Sequence, residues 1–193
     1  MCAGKGWASF WFHLEGISFC AWVVFHHRCS RPVPISWRHR MMPRQDSVWL
    51  AGVQAADVYR GHLGCWAGKP YDLDTSAARL RRINSASECW VTADQLFLEP
   101  RCLATLDYMT LKHTDLDATV SWTVDYTSQG HGIVLWFDSV LAEGIALTNR
   151  PGAPRLIYRQ SFLPWPSPLD LCSGDTVTVT VGALQNQRPL ERC

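Results

Sequence analysis

The stretch ATVSWTVDY, residues 118–126, alternates strictly between apolar and polar side chains. Its even-numbered positions carry Ala, Val, Trp, Val and Tyr, and its odd-numbered positions carry Thr, Ser, Thr and Asp. Successive side chains of a β-strand point to opposite faces of the sheet. This period of two therefore predicts an antiparallel strand with one buried face and one solvated face.

Further strand signals lie on both sides of this stretch. Residues 102–109 alternate in the same way, and the three valines within residues 176–181 share one face. Strands are also predicted at residues 47–53, 88–91, 96–98, 133–137 and 156–163. Turn residues separate them, including Gly130 to Gly132, a proline-rich turn at residues 164–168, and Gly174-Asp175. Many short strands with intervening turns predict a mainly β fold, an antiparallel β-barrel or barrel-like sandwich.

A small helical insert interrupts the strand pattern. Residues 60–70 contain three glycines and a proline, which predicts a loop. Asp74, Thr75 and Ser76 then provide N-cap chemistry, so we predict a short helix at residues 77–83. Its three arginines indicate a solvated helix face; binding to a phosphate or an acidic partner is the alternative.

Composition excludes two classes of partner. The chain has 193 residues, 47% of them hydrophobic, which is enough for one sizeable core. Its net charge is +1 and no basic block is present, so nothing supports nucleic-acid binding. The apolar run at residues 17–25 is far shorter than the roughly 20 residues that a helix needs to span a bilayer. We therefore expect neither nucleic acid nor membrane as a partner.

The cysteines indicate the compartment. Eight are scattered without a CxxC pair, which favours free, mostly buried thiols in a reducing compartment, and hence a cytoplasmic protein. His26, His27 and Cys29 lack the further ligands of a four-ligand metal site, so no metal residue is assigned.

Candidate catalytic groups are few. Asp115 and Asp117 near His113 could serve acid–base chemistry, but a solvated turn is the better interpretation of that segment. His131, between two glycines, is interpreted as structural. Phosphate-binding, nucleophile-elbow and zinc-protease motifs do not occur. No catalytic residue and no cofactor-binding residue is therefore assigned in this chain.

Domain organisation changes near residue 41. Residues 1–40 contain four tryptophans among Cys, His and Arg but show no helix or strand period. We interpret them as an unassigned segment, either disordered or spurious. Residues 41–183 form the predicted β domain, and residues 184–193 form a tail.

From Pro43 to Ala183 the order of elements resembles the C-terminal β-barrel domain of the protein arginine methyltransferases, as a bacterial-type or divergent member. The stretch from Trp66 to Ser76 resembles the family's Trp…Tyr-Gly-Phe-Asp-Met-Ser segment, where the dimerisation arm is inserted. Four later stretches also resemble family strands and turns, namely Leu106-Asp107-Tyr108, Gly132 to Asp138, Arg159-Gln160 with Ser161 to Leu163, and Leu171 to Val177. The family's final strand has no counterpart here.

The resemblance implies a function. It places a dimerisation arm at about residues 71–92, with Tyr71, Asp72 and Leu73 as candidate contacts. It places Tyr158, Arg159 and Gln160 beside a substrate groove. It also implies an S-adenosylmethionine-dependent protein-arginine N-methyltransferase that acts on a protein substrate and forms a homodimer.

The family's Gly-rich cofactor turn and catalytic glutamate pair lie upstream of the barrel, and this chain contains neither. We therefore expect the isolated chain to bind no S-adenosylmethionine and to be inactive, so whether it is an enzyme in itself stays open.

Two points keep other interpretations open. Where arginine-specific members have Thr-His-Trp, this chain has Leu156, Ile157 and Tyr158. Isoleucine cannot donate or accept a hydrogen bond, which leaves arginine open as the substrate. The alternative function is a non-enzymatic β-sandwich that binds a ligand on exposed tryptophans at positions 122, 136 and 165. A barrel instead predicts that Trp122 and Trp136 are buried.

Overall fold

The computed structural model describes residues 7–13, 43–68, 72–111 and 116–183. Two α-helices lie within these ranges, α1 at Ala56–Leu63 and α2 at Ser76–Ile83. Short 3-10 turns occupy Gly64–Trp66 and Ala93–Gln95. The strands are β1 Trp7–His13, β2 Gln45–Val53, β3 Ser87–Cys89, β4 Arg101–Asp107, β5 Leu116–Thr123, β6 Ser128–Ala142, β7 Ile145–Thr148, β8 Gln160–Leu171 and β9 Thr176–Ala183.

The strands form two sheets. The larger sheet has the order β3-β8-β6-β2-β4, and β7 pairs with β6 beside it. The smaller sheet has the order β1-β9-β5. Every pairing is antiparallel except β1 with β9, which is parallel. The prediction of a mainly β, barrel-like sandwich with a small helical insert is confirmed.

Two apolar clusters hold these layers together. The inner cluster lies between the two sheets and includes Leu50, Ile133, Trp165 and Val179. The outer cluster lies between the opposite face of the larger sheet and α1, and it includes Trp136 and Phe162. Both faces of the larger sheet are therefore covered, which explains why its long strand β6 is apolar at consecutive positions rather than alternating.

The alternation of residues 118–124 matches the structure, but strand β5 ends at Thr123 and Tyr126, predicted on the buried face, is 52% exposed. Trp122 belongs to the inner cluster, and its indole nitrogen donates a hydrogen bond to the carbonyl of Glu99 at 2.7 Å. On the solvated face, the hydroxyls of Thr119 and Ser121 form hydrogen bonds with those of Thr180 (3.0 Å) and Thr178 (2.8 Å). Burial on one side and hydroxyl pairs on the other fix the register of this strand.

Five predicted elements were wrong. Residues 96–98, predicted as a strand, form only an isolated bridge between Leu96 and Val53. The turn predicted at Gly130 to Gly132 lies within β6. Residues 60–63, predicted as loop, are the second half of α1, because Tyr59, His62 and Leu63 pack one helical face onto the sheet despite Gly61. Residues 156–159 are loop rather than strand. The proline-rich turn at 164–168 instead lies within β8. The β6–β8 register jumps there from Gly130↔Leu169 to Gly132↔Pro164. Pro166 and Pro168 therefore have no partner in β6 and occupy no ladder position that requires an N–H donor, whereas Pro164 stays paired with Gly132.

Part of the unassigned N-terminal segment lies within the described residues. Residues 7–13 form strand β1, which pairs with β9 from Trp7↔Thr176 to His13↔Gly182. The sequence WASFWFH has apolar residues at both odd and even positions, so a period-two pattern is hidden. His26, His27, Cys29, His113 and Asp115 lie outside the described residues.

The cysteines only partly follow the expectation of buried free thiols. Cys89 is buried and free, and burial raises the pKa of its thiol to about 12. Cys65 and Cys102 are free but exposed. Cys172 is disulfide-bonded, so the expectation of free thiols throughout was wrong. Within the described ranges, no helix has both the length and the apolar character needed to cross a membrane.

Candidate functional site

One end of the inner sheet face is open. Cross-strand partners share a face, so the pairs Asp46↔Ser139, Ser139↔Leu147 and Glu88↔Ser161 all point to the side of the inner cluster. They surround a cavity of about 300 Å³, here called the end cavity. Strands β2, β6, β7 and β8 line it, together with the loop before β8 and Glu88 of β3. The end cavity is thus a concave opening at the edge of the inter-sheet core.

The segment that precedes β8 brings two predicted groove residues to this cavity. Tyr158 lines it and packs edge-on against Phe137, with ring centroids 5.9 Å apart and an interplanar angle of 71°. Arg159 lines the cavity too and is exposed. Ile157 stands beside them with 88% of its surface exposed. The three residues form an accessible wall with one aromatic, one cationic and one aliphatic side chain.

Gln160 is placed differently from its two neighbours. Its side chain is 2% exposed and does not line the end cavity. Its Nε2 donates to the carbonyl of Asn149 at 2.7 Å, and its Oε1 accepts from the backbone N–H of Val91 at 2.9 Å. Asn149 in turn donates to the carbonyl of Arg159 at 2.9 Å. Gln160 and Asn149 therefore close the loop of residues 149–160 and hold Tyr158 and Arg159 at the opening.

Of the three candidate arm contacts, Tyr71 lies outside the described residues. Asp72 is exposed, with a positive φ of 60°, and Leu73 is 63% exposed. Leu80, on α2, is 62% exposed, and sequence reasoning missed it because it sits among arginines that indicate a solvated face. The arm segment of residues 72–84 therefore presents two large apolar side chains to solvent.

Hydrogen bonds dock this arm on the rest of the domain. The carbonyl of Pro166 in β8 accepts from the Arg79 guanidinium at 2.9 Å and from the Tyr59 hydroxyl at 3.2 Å. His62 on α1 meets Arg82 on α2 twice. Its Nε2 lies 3.0 Å from the Arg82 carbonyl, and its Nδ1 lies 3.0 Å from an Arg82 guanidinium nitrogen. A carbonyl only accepts and a guanidinium only donates, so His62 is a neutral imidazole protonated at Nε2.

Protonation of His62 opposes this docking. Burial lowers the pKa of His62 below its ordinary value of 6.5, and the positive charge of Arg82 lowers it further, whereas hydrogen bonds to the backbone of Arg82 and Ser85 raise it. A second proton at Nδ1 would face a guanidinium donor and remove the hydrogen bond.

The stability of the domain should therefore depend on pH. Between the lowered pKa and 6.5 the unfolded chain binds more protons than the folded chain, so the free energy of unfolding is highest above pH 6.5 and falls as pH drops below it. Urea unfolding at several values between pH 7.5 and pH 5 measures this. His62→Gln, which can both donate and accept, should make the slope less steep, and the contribution of His131, whose pKa burial also lowers, should remain. Equal pH slopes for the wild type and His62→Gln would contradict the assignment.

His131 packs against an aromatic ring. Its ring is buried edge-on against Tyr59, with centroids 5.7 Å apart, and its Nδ1 has no hydrogen-bond partner among the described residues. Burial lowers the pKa of His131, while hydrogen bonding to the backbone of Gln129 and the charge of Asp57 raise it. This placement supports the structural interpretation. No group of three potential metal ligands occurs within the part of the chain that the structure describes.

The three tryptophans of the alternative interpretation are buried. Trp122 and Trp165 lie in the inner cluster, and Trp136 lies in the outer cluster on the other face of the sheet. They form no common exposed surface, and the burial of Trp122 and Trp136 is what a barrel predicts.

Comparison with protein families matches residues 44–192 to the arginine methyltransferase oligomerization subdomain. The chain matches none of the curated proteins with which it was compared.

Two solved structures share the fold. The PRMT1 enzyme–prozyme heterotetrameric complex with AdoHcy from Trypanosoma brucei has a TM-score of 0.59 and 17% identity, over 70% of this chain and 44% of that one. Protein arginine methyltransferase 10 from Arabidopsis thaliana has a TM-score of 0.52 and 19% identity, over 74% of this chain and 52% of that one. The chain thus spans about half the length of these structures. The family match covers most of the chain, and the chain belongs to the arginine methyltransferase oligomerization subdomain family.

Proposed function

We propose that this chain is the substrate-side and oligomerisation subdomain of an S-adenosylmethionine-dependent protein methyltransferase, with a protein arginine side chain as the substrate. The family match and the fold of the two neighbours support this proposal. The presence of AdoHcy in the trypanosome complex supports S-adenosylmethionine as the cofactor of the complete enzyme. By itself, the chain neither binds S-adenosylmethionine nor transfers a methyl group.

The division of labour follows from the chemistry. Methyl transfer from a sulfonium is an in-line displacement, accelerated by positioning the nucleophilic nitrogen and by carboxylates that hold its charge. In this proposal the chain supplies one wall of the groove, namely Ile157, Tyr158 and Arg159 at the end cavity. Ile157 offers only apolar contact, so the wall acts by shape and by the Tyr158 and Arg159 side chains. Donor binding and nitrogen activation belong to another part of the enzyme.

The observation that carries the oligomerisation role is the apolar surface of the arm segment. Leu73 and Leu80 are each more than 60% exposed on a segment that hydrogen bonds hold against the sheet. Burying a leucine side chain stabilises an interface by about 1.5–3 kcal/mol. We propose that a second subunit of the same chain covers these two residues.

Sedimentation equilibrium of the chain tests this role. We expect self-association to weaken about tenfold or more in Leu73→Glu/Leu80→Glu, because two charges would be buried at the interface. The matched control is Ile145→Glu, which changes an apolar residue of 57% exposure at the β6–β7 turn and should leave association unchanged. An identical response of both variants, or a chain that stays monomeric at all concentrations, would contradict the assignment of the arm.

A further inference from the structure

Among the described residues, the buried carboxylate in the end cavity forms no ion pair. Asp46 is 8% exposed, and its two oxygens accept hydrogen bonds from the hydroxyls of Tyr108, at 2.7 Å, and Ser139. Both donors are neutral, and Asp46 forms no ion pair with any other described residue. Buried charges in proteins are ordinarily paired, and none of the described residues supplies the cation that would pair with Asp46 in the cavity wall.

Half of the residues that line the end cavity are aliphatic or aromatic. Phe137 and Leu141 of β6, Leu147 of β7 and the ring of Tyr158 surround it. The cavity therefore offers an apolar surface to an alkyl chain and a carboxylate, that of Asp46, to a polar head. A small hydrated ion would leave the apolar walls in contact with water, which disfavours a simple metal ion.

The rim sets the charge of the ligand. Glu88 and Arg159 both line the opening and both are exposed, and neither forms an ion pair with a described residue. With Asp46 the three ionisable side chains sum to one negative charge, which favours a monocation over an anion or a dication. Aromatic rings beside the carboxylate add favourable contact for a cation.

We infer that the end cavity is a binding site for a lysine or arginine side chain of a polypeptide, at a position flanking the residue that is methylated. The alkyl stem packs against Leu141, Leu147 and the two rings, and the cationic head forms a charge-assisted hydrogen bond with Asp46. The inference rests on the proposed function for the identity of the polypeptide, but not for the binding of the cation.

Titration of the chain with n-butylguanidinium tests the site. Binding is monitored by NMR through the amide chemical shifts of Ser139 and Tyr158. N-butylurea is the neutral probe of the same shape, and methylguanidinium is the cation without the alkyl stem. We expect each of these two probes to bind at least about tenfold more weakly than n-butylguanidinium. N-butylurea lacks the charge, and methylguanidinium lacks the apolar contact of the alkyl stem. Equal affinity for n-butylurea and n-butylguanidinium, or the absence of shifts at these amides, would overturn the inference.

Substitutions assign the carboxylates. Asp46→Asn should lower the affinity for n-butylguanidinium by about tenfold or more, and Glu88→Gln by a smaller factor because it is exposed. Glu143→Gln, an exposed carboxylate in the β6–β7 turn, is the control and should bind as the wild type does. If Asp46→Asn does not fold, the comparison of Glu88→Gln with Glu143→Gln decides, and equal affinity of those two variants overturns the inference.

The two proposals fail in different measurements. If the oligomerisation role is wrong, sedimentation without n-butylguanidinium shows it, and the result of the titration with n-butylguanidinium is unaffected. Failure of the cation site appears in that titration and leaves self-association through Leu73 and Leu80 intact.

Discussion

Gly132→Ala is expected to cost the domain about 3 kcal/mol or more of its free energy of unfolding. A Cβ atom at this position would lie 2.3 Å from the carbonyl oxygen of Leu163 and 2.7 Å from the ring of Phe162. The first obstacle is backbone of the paired strand β8, and the second is a fully buried ring of the outer cluster. Neither can move aside without separating β6 from β8.

Thermal and urea unfolding of the variant measure this effect. For a chain of this length, a loss of that size lowers the midpoint temperature by about 10 °C. Gly61→Ala is the matched control, since its Cβ would meet no atom within 4 Å in helix α1, and alanine there should stabilise by roughly 1 kcal/mol. Equal stabilities of the two variants would contradict the close packing of β6 against β8 at Gly132.

Gln160→Leu is expected to destabilise the domain by about 2–6 kcal/mol. Leucine fits an apolar site of similar size, but it leaves the N–H of Val91 and the carbonyl of Asn149 without their partner inside the protein. Each unsatisfied buried group costs about 1–3 kcal/mol. Because the same bonds close the loop of residues 149–160, the loop should also become susceptible to proteolysis.

Urea unfolding and limited proteolysis measure the two consequences. The control is Gln129→Leu, which removes an exposed hydrogen bond of 2.8 Å to Asp170 and should change stability by less than about 1 kcal/mol. A Gln160→Leu chain as stable as the control, with an equally resistant loop, would show that Gln160 does not close this loop.

The parts of the fold that depend on local pattern could be predicted from the sequence. Residues 118–123 alternate, and the structure buries Trp122 while exposing Ser121. Helix α1 could not be predicted, because its three buried residues gain their stability from a sheet distant in sequence and outweigh the glycine within the helix. The prolines of β8 were misleading for the same reason, since only the register with β6 shows that Pro166 and Pro168 lie where the ladder is interrupted.

The candidate site was only partly predictable. The order of the motifs identified Tyr158, Arg159 and Gln160 as groove candidates, but it could not show which way each side chain points. The side chain of Gln160 points away from the cavity that Tyr158 and Arg159 line, because it bonds to Val91, which is 69 residues away in sequence. Asp46 meets Ser139 across 93 residues, so no local pattern could place that carboxylate in a cavity. Leu80 was missed because the arginines around it dominate the pattern.

Isothermal titration of S-adenosylmethionine into this chain tests the central claim most directly. In the proposed function, the chain supplies one wall of the substrate groove and an oligomerisation surface, and another part of the enzyme binds the donor. We therefore expect no heat of binding up to about millimolar cofactor, where a complex of about 4 kcal/mol would be detected. Saturable binding in the micromolar range would contradict it.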